Sequence, residues 1–368
     1  MTQSSSRFSP SAATRSLLSL SVLATVAGLS ACGGGGSGSS TPTTPVVSTC
    51  SNGGTDYPTC TAPVTAAQLQ LTVPAPPYAV GSEELNAFNY LNNFRQSLGL
   101  GLLAYSPELT LSTKNHANYL VLNRVGGFDE DPTKPGFTGV TIYDRASFAG
   151  YATNYRVTGG QGISNTLSGV IQGLIDSVYH REILMLQDIA DVGMTRYCFG
   201  ICDNTSAITL AAAEKKYPGQ RNASDFVMTY PLDKQTNVDL SARNETTNPF
   251  PDFTDGVIHG KVGYPVSFVI EASQTLVLKD FTMTEAATGI ALNAYVYTAA
   301  NDPNKLIQKN EAWLTSKTKL KPSTTYNMVL HGSVNGNDIT CVGGKIVTGK
   351  TPGCSWSFTT AAGDIPSF

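Results

Sequence analysis

At 368 residues with a hydrophobic fraction of 41%, the chain exceeds one typical domain and can fill sizeable cores, so two domains plus tails are expected. Charged residues make up 14%, against about 25% in an average soluble protein, which leaves a polar but weakly charged surface. The 24 Lys and Arg residues against 27 Asp and Glu give a net charge of -3, and no dense basic run is present to neutralise phosphates, which argues against nucleic acid as a partner.

Arg7 and Arg15 precede an uncharged run from Ser16 to Leu29 that is too short to span a bilayer comfortably, so residues 1–31 read as a signal peptide. Its end, Leu29-Ser30-Ala31-Cys32 followed by Gly33 to Gly36, resembles a bacterial lipobox. That resemblance implies cleavage before Cys32, lipidation of Cys32 and anchoring in the bacterial cell envelope. Gly33, with no aspartate in its place, is compatible with export to an outer membrane, and the membrane becomes a partner through the lipid. Residues 32–77, rich in Gly, Ser, Thr and Pro with few large apolar side chains, cannot offset chain entropy and read as a tether.

Of seven cysteines, six remain once Cys32 is set aside. They fall as three local pairs, and an oxidising exterior with short loops favours Cys50 to Cys60, Cys198 to Cys202 and Cys341 to Cys354 over the other connectivities.

Ala87, Phe88, Leu91, Phe94 and Leu98 share one helical face between Ser82, a fitting N-cap, and Gly99, a stop. Ser106-Pro107-Glu108 opens a second helix that runs to about Asn123, with His116 on its inward side. A third stripe, Leu167, Val170, Ile171, Leu174, Ile175 and Val178, ends at Tyr179. His180 is thereby expected at a helix C-terminus, where unpaired carbonyls favour a cation. Runs at Asp191–Phe199 and Ala207–Ala213 predict a hairpin. From Asp225 onward short β-rich runs replace helical stripes: Phe226–Tyr230, Val266–Ile270, Thr275–Leu278, Ala294–Tyr297, Thr325–His331 and Ser355–Thr360. Pro, Gly and Asn separate them, as in a small β-sandwich, and the break is placed near Thr246 to Pro251.

Gly344 to Thr351 fits the phosphate-loop pattern GxxxxGK[ST], but Pro352-Gly353-Cys354 follows where a phosphate-receiving helix is required, so the match is discounted. Among four histidines, His259 and His331 read as surface or loop residues of the β-rich part. His116 and His180 close two helices of one region and could share a cleft.

The pieces Leu91-Asn92-Asn93-Phe94-Arg95, His116-Ala117-Asn118-Tyr119-Leu120, Asp144-Arg145-Ala146, Ala149-Gly150-Tyr151 and Ser177-Val178-Tyr179-His180-Arg181 come in an order that resembles bacterial CAP domains, the SCP/PR-1-like superfamily. The resemblance covers about Ser82 to Ala213. It implies an α-β-α sandwich whose cleft in many members holds two histidines and two glutamates, sometimes with a divalent metal. His180 matches the second cleft histidine. The first has no counterpart in Gly126 to Asp131, Gln161 stands where a glutamate is expected, and Asp176 is only a loose match for the other glutamate. A neutral glutamine supplies neither ligand charge nor a general base, so no metal or cofactor is expected. A cleft of His116, Glu130, Gln161, Tyr179, His180 and Arg181 suits a polar or anionic ligand instead. Leu320 to Tyr326 and Trp356 to Thr360 resemble the closing strands of bacterial Ig-like domains.

The expected fold class is therefore α+β: a CAP-like α-β-α sandwich over residues 78–245 and an all-β Ig-like sandwich over 246–368. The expected function is binding of a lipid, glycan or envelope-protein ligand through a degenerate CAP cleft, without covalent catalysis. Two alternatives are a metal-assisted hydrolase using His116, His180 and Glu130, and a purely adhesive or structural surface protein.

Overall fold

A computed structural model describes residues 67–151, 157–198, 205–213, 220–348 and 353–365, with the backbone alone at 198, 205–213 and 348. The Cys32 lipidation site, the Cys50 to Cys60 pairing and the Cys198 to Cys202 pairing lie outside what is described. Among the described residues no helix is long and apolar enough to cross a membrane.

Helix α1 (Glu83–Ser97) starts where Ser82 accepts a hydrogen bond from the Leu85 amide, and it buries Ala87, Phe88, Leu91 and Phe94. After the short β1 (Ala104–Tyr105), α2 (Pro107–Asn123) begins with the Ser106 hydroxyl accepting from the Leu109 amide and ends at Arg124 in the left-handed region. Both helices lie where cap and stripe predicted them. Helix α3 (Ile142–Phe148), absent from the sequence reading, opens with a reciprocal cap between Thr141 and Asp144. It is followed by the glycine-rich β2 (Val157–Ile163).

The third apolar stripe is not one helix. Helix α4 (Leu167–Ile175) covers it only as far as Ile175, and a separate α5 (Tyr179–Met185) begins where the stripe ends. At the break the Ser177 hydroxyl donates to the Leu174 carbonyl at 2.9 Å, a side-chain bond that competes with continuation of the helix. His180 thus stands in the first turn of α5 rather than at a C-terminus, and the end charge it meets is positive. The N-cap residue, Val178, has no capping side chain. Glu245 caps α5 from a distance: its carboxylate accepts from the amides of Val178 at 2.8 Å, Tyr179 at 3.0 Å and His180 at 3.3 Å.

Strands β3 (Ile189–Cys198) and β4 (Thr205–Ala213) form the expected hairpin within a sheet of order β1-β3-β4-β2. Register sets the two faces of this sheet. Gly193 on β3 pairs with Leu210 of β4, whereas Gly160 on β2 pairs with the adjacent Thr209, so the two glycines point to opposite sides. A Cβ on Gly193 would stand 2.2 Å from backbone atoms of Leu109 and Thr110 on α2, and one on Gly160 would meet Leu174 of α4 at 3.0 Å. Helices therefore cover both faces, giving the α-β-α layering.

The C-terminal part is all β. Strands β5 (Val227–Tyr230) and β6 (Gln235–Val238) precede β7 (Val266–Ile270), β8 (Leu276–Glu285), β9 (Ala294–Thr298), β10 (Glu311–Ser316) and β11 (Thr325–Val334). Strands β12 (Asn337–Val342), β13 (Lys345–Thr348) and β14 (Cys354–Thr360) complete it. One sheet has the order β5-β7-β10-β9; the other runs β13-β12-β11-β14-β6, with β8 also paired to β11. Both sheets recruit strands from before the Thr246 to Pro251 break. All six residues of β10 are buried, and such a strand carries no alternation to betray it in the sequence. Phe268 of β7 and Trp356 of β14 meet across the sheets with ring centroids 6.1 Å apart. Cys341 and Cys354 form the expected disulfide, with Cα atoms 4.7 Å apart. The discounted phosphate-loop sequence carries β13 within that disulfide loop. One apolar core, from Ala87 of α1 through Met194 to Phe358 of β14, runs through both parts.

Candidate functional site

His116 is turned inward from α2, buried beside the loop that leads to α3. Its Nδ1 lies 2.8 Å from Glu130 Oε1 and its Nε2 lies 3.2 Å from the Gly127 carbonyl oxygen. With both ring nitrogens turned to protein acceptors, the imidazole has no free corner for a metal. Tyr119, one turn along, stacks on His116 at 6.3 Å between centroids, and its hydroxyl accepts from the Asp131 amide.

Glu130 is buried at the centre of this cluster. Its second oxygen accepts from the Thr138 amide at 2.7 Å, and Arg145 of α3 brings Nε to 3.8 Å from Oε1 while donating to the Val140 carbonyl at 3.1 Å. Burial pushes the Glu130 carboxyl up, but the bond with His116, the Thr138 amide and the Arg145 charge outweigh it and hold the group below the usual glutamate value. Burial in turn lowers Arg145.

The register of β2 puts Gln161 on the same face of the sheet as Gly193, the face covered by α2. Gln161 accordingly joins His116, Ser112, Thr113, Phe128 and Arg145 around a cavity of about 10 Å³. That is room for about one water molecule. At its rim Phe128, at 38% exposure, leaves apolar surface in solvent.

Tyr179, His180 and Arg181 do not line this cavity. The Tyr179 hydroxyl donates to Asp302 at 2.5 Å and accepts from the Asn304 amide group at 2.9 Å, both in the loop between β9 and β10. Burial, followed by the bond to Asp302, raises the Tyr179 hydroxyl far above the ordinary tyrosine value. His180 Nδ1 lies 3.3 Å from Glu245 Oε2 and 3.3 Å from the Ser177 hydroxyl. Arg181 is fully buried, not a cation offered to a ligand. Its guanidinium carbon lies 4.8 Å from the Tyr230 ring centroid, 5.0 Å from Tyr264 and 5.3 Å from Trp313, and it donates to the Ile175 and Pro265 carbonyls. The physical reason is the break at Ser177: a separate α5, packed with α1 and α4, turns these side chains toward the β part.

The candidate cleft thus divides. Structure brings His116, Glu130 and Gln161 together, while Tyr179, His180 and Arg181 join the helical layer to the β-sandwich. His116 and His180 have different carboxylate partners, and among the described residues no three His, Cys, Asp or Glu side chains gather as a metal site. Sequence reasoning missed Arg145, although Asp144-Arg145-Ala146 stood among the matching pieces. It missed Glu245 and Asp302 because their partners lie 65 or more residues away.

Among solved structures, an outer surface protein from Borrelia burgdorferi is 18% identical, covering 38% of this chain and 97% of its own at a TM-score of 0.32. An extracellular protein containing an SCP domain from Bacillus anthracis is 19% identical, covering 37% of this chain and 44% of its own at 0.27. CopC from Methylosinus trichosporium is 15% identical, covering 37% and 93% at 0.19. No curated protein matches the chain. The model of the CAP family, the cysteine-rich secretory protein family, matches residues 88–207, a span that runs from within α1 into β4 and includes the His116 cluster and α5. The chain carries a CAP domain of that family, followed by an all-β region.

Proposed function

We propose that the protein is an exported, lipid-anchored envelope protein whose CAP domain recognises a ligand or cell-envelope component without covalent catalysis. Export is supported by the basic, apolar and lipobox sequence that ends at Cys32. Recognition is supported by one observation above all: in the His116, Glu130 and Arg145 cluster both imidazole nitrogens and both carboxylate oxygens are already engaged by the protein. Such a cluster shapes a surface rather than transferring protons. A cavity of about 10 Å³ admits no organic ligand, so contact falls on its mouth, at Phe128 and Gln161.

The full chain, carried in detergent, is expected to cosediment with isolated bacterial envelope fragments and to lose most of that binding when Phe128 and Gln161 are both replaced by alanine. Undiminished cosedimentation of a folded double variant would remove the cleft from the function and leave adhesion through another face.

A further inference from the structure

A second cavity, of about 410 Å³, opens where α1 and α4 meet β6. Its size falls within the ~300–1,000 Å³ of small-molecule sites, and it shares no residue with the His116 cluster. One wall is a chain of hydrogen bonds across the helices. The Tyr90 hydroxyl donates to Gln172 Oε1, Gln172 Nε2 donates to Asp176 Oδ1 at 2.6 Å, and the Tyr264 hydroxyl donates to the same oxygen at 2.7 Å. The opposite wall is β6 and its continuation, with Gln235, Asn237 and Asp239.

The chemistry of the lining narrows the ligand. It holds no Lys, Arg or His, and it includes two buried carboxylates, Asp176 and Asp239, which repel an anion. Behind them Arg243 stands with Nη2 3.0 Å from Asp239 and Nε 3.9 Å from Asp176, and the Arg181 charge also acts on Asp176, so two cations offset the two carboxylates that would otherwise draw a cation. Val238 and Ile365 are the aliphatic members, too few for a lipid tail. What remains is three tyrosines, Tyr90, Tyr230 and Tyr264, beside amides, hydroxyls and oriented carboxylates. Asn237 holds its exposed side chain at this wall from a left-handed backbone, φ 58°, a conformation that costs an ordinary residue free energy and that asparagine tolerates best after glycine.

We propose that this cavity is a binding site for a neutral, polyhydroxylated ligand, a short saccharide whose rings lie against Tyr90 and whose hydroxyls bond Asn237, Gln235 and the carboxylates. Aromatic surface takes the C–H face of a sugar, and amides with carboxylates accept and donate at its rim. The site is independent of the His116 cleft and draws on both parts of the chain, so it exists only when CAP domain and β-sandwich are folded together.

The test is calorimetric titration of the full chain in detergent with cellotriose and with N,N′,N″-triacetylchitotriose, alongside choline as a cationic probe. Binding of either trisaccharide is expected, weakened at least tenfold by Asn237→Gly, which removes the amide from a backbone that glycine adopts freely. Tyr90→Ala is expected to weaken it likewise, and the Phe128→Ala, Gln161→Ala double variant to leave it unchanged. Circular dichroism checks that each variant is folded. Binding of neither trisaccharide, binding of choline alone, or saccharide binding unaffected by folded Asn237→Gly and Tyr90→Ala variants would each overturn the proposal.

Discussion

Glu130 and Asp176 are both buried carboxyls, yet their surroundings drive them in opposite directions. Burial raises Asp176 to about 6, only partly countered by the bond from Tyr264 and the charges of Arg181 and Arg243. Around Glu130 the bonds and the Arg145 charge prevail over burial. Linkage then fixes two slopes. Glu130, depressed when folded, contributes stability that is complete above its unfolded value near ~4.3 and is lost as pH falls through the folded value. Asp176, raised when folded, binds its proton more tightly in the native state, so its contribution declines as pH rises from ~3.9 to about 6. Urea unfolding of Glu130→Gln at pH 7 is expected to show a loss of about 1–3 kcal/mol that narrows toward pH 3. Asp176→Asn is expected to flatten the decline between pH 4 and 6. Parallel pH profiles for both variants and the wild-type chain would refute this assignment.

Elements are held by close approach as much as by apolar stripes. Gly193 lets α2 lie on β3, since a Cβ there would come 2.2 Å from the α2 backbone, which cannot rotate away. Gly193→Ala therefore displaces the helix that carries His116, and a loss of at least about 2–3 kcal/mol is expected in denaturant melts. Gly173, which has open space around its Cβ position, is the control, and Gly173→Ala is expected to be neutral or mildly stabilising. Equal losses at the two positions would show that backbone packing is not the cause. The caps of α1 and α2 were legible because Ser82 and Ser106 act on amides three residues away. The cap of α5 was not, because Glu245 reaches it across 65 residues or more.

The whole molecule behaves as one packed body over its described residues. The core is continuous between the CAP domain and the sandwich, and Arg181 is enclosed by tyrosines and a tryptophan of the β part. A single cooperative transition is expected in scanning calorimetry, shifted downward as a unit by Arg181→Ala. Two separated transitions, with only the first moved by that variant, would show two independently folding domains instead.

Local signals in the sequence determined a good part of this: the N-caps and stripes of α1 and α2, the β3–β4 hairpin, the strand-rich C-terminal half, the Cys341–Cys354 bridge and the resemblance to CAP domains. Each depends on residues a few positions apart, or on the order of short pieces along the chain. The tertiary structure alone decided the rest. It ended α4 at Ile175 and began a separate α5 past the break at Ser177, turned Tyr179 and Arg181 into the join between the two parts, filled the His116 cleft with its own hydrogen bonds and opened the cavity beside Tyr90. These outcomes depend on partners such as Glu245, Asp302 and Tyr264, distant in sequence, and no periodicity records which distant side chain will satisfy a buried charge or amide.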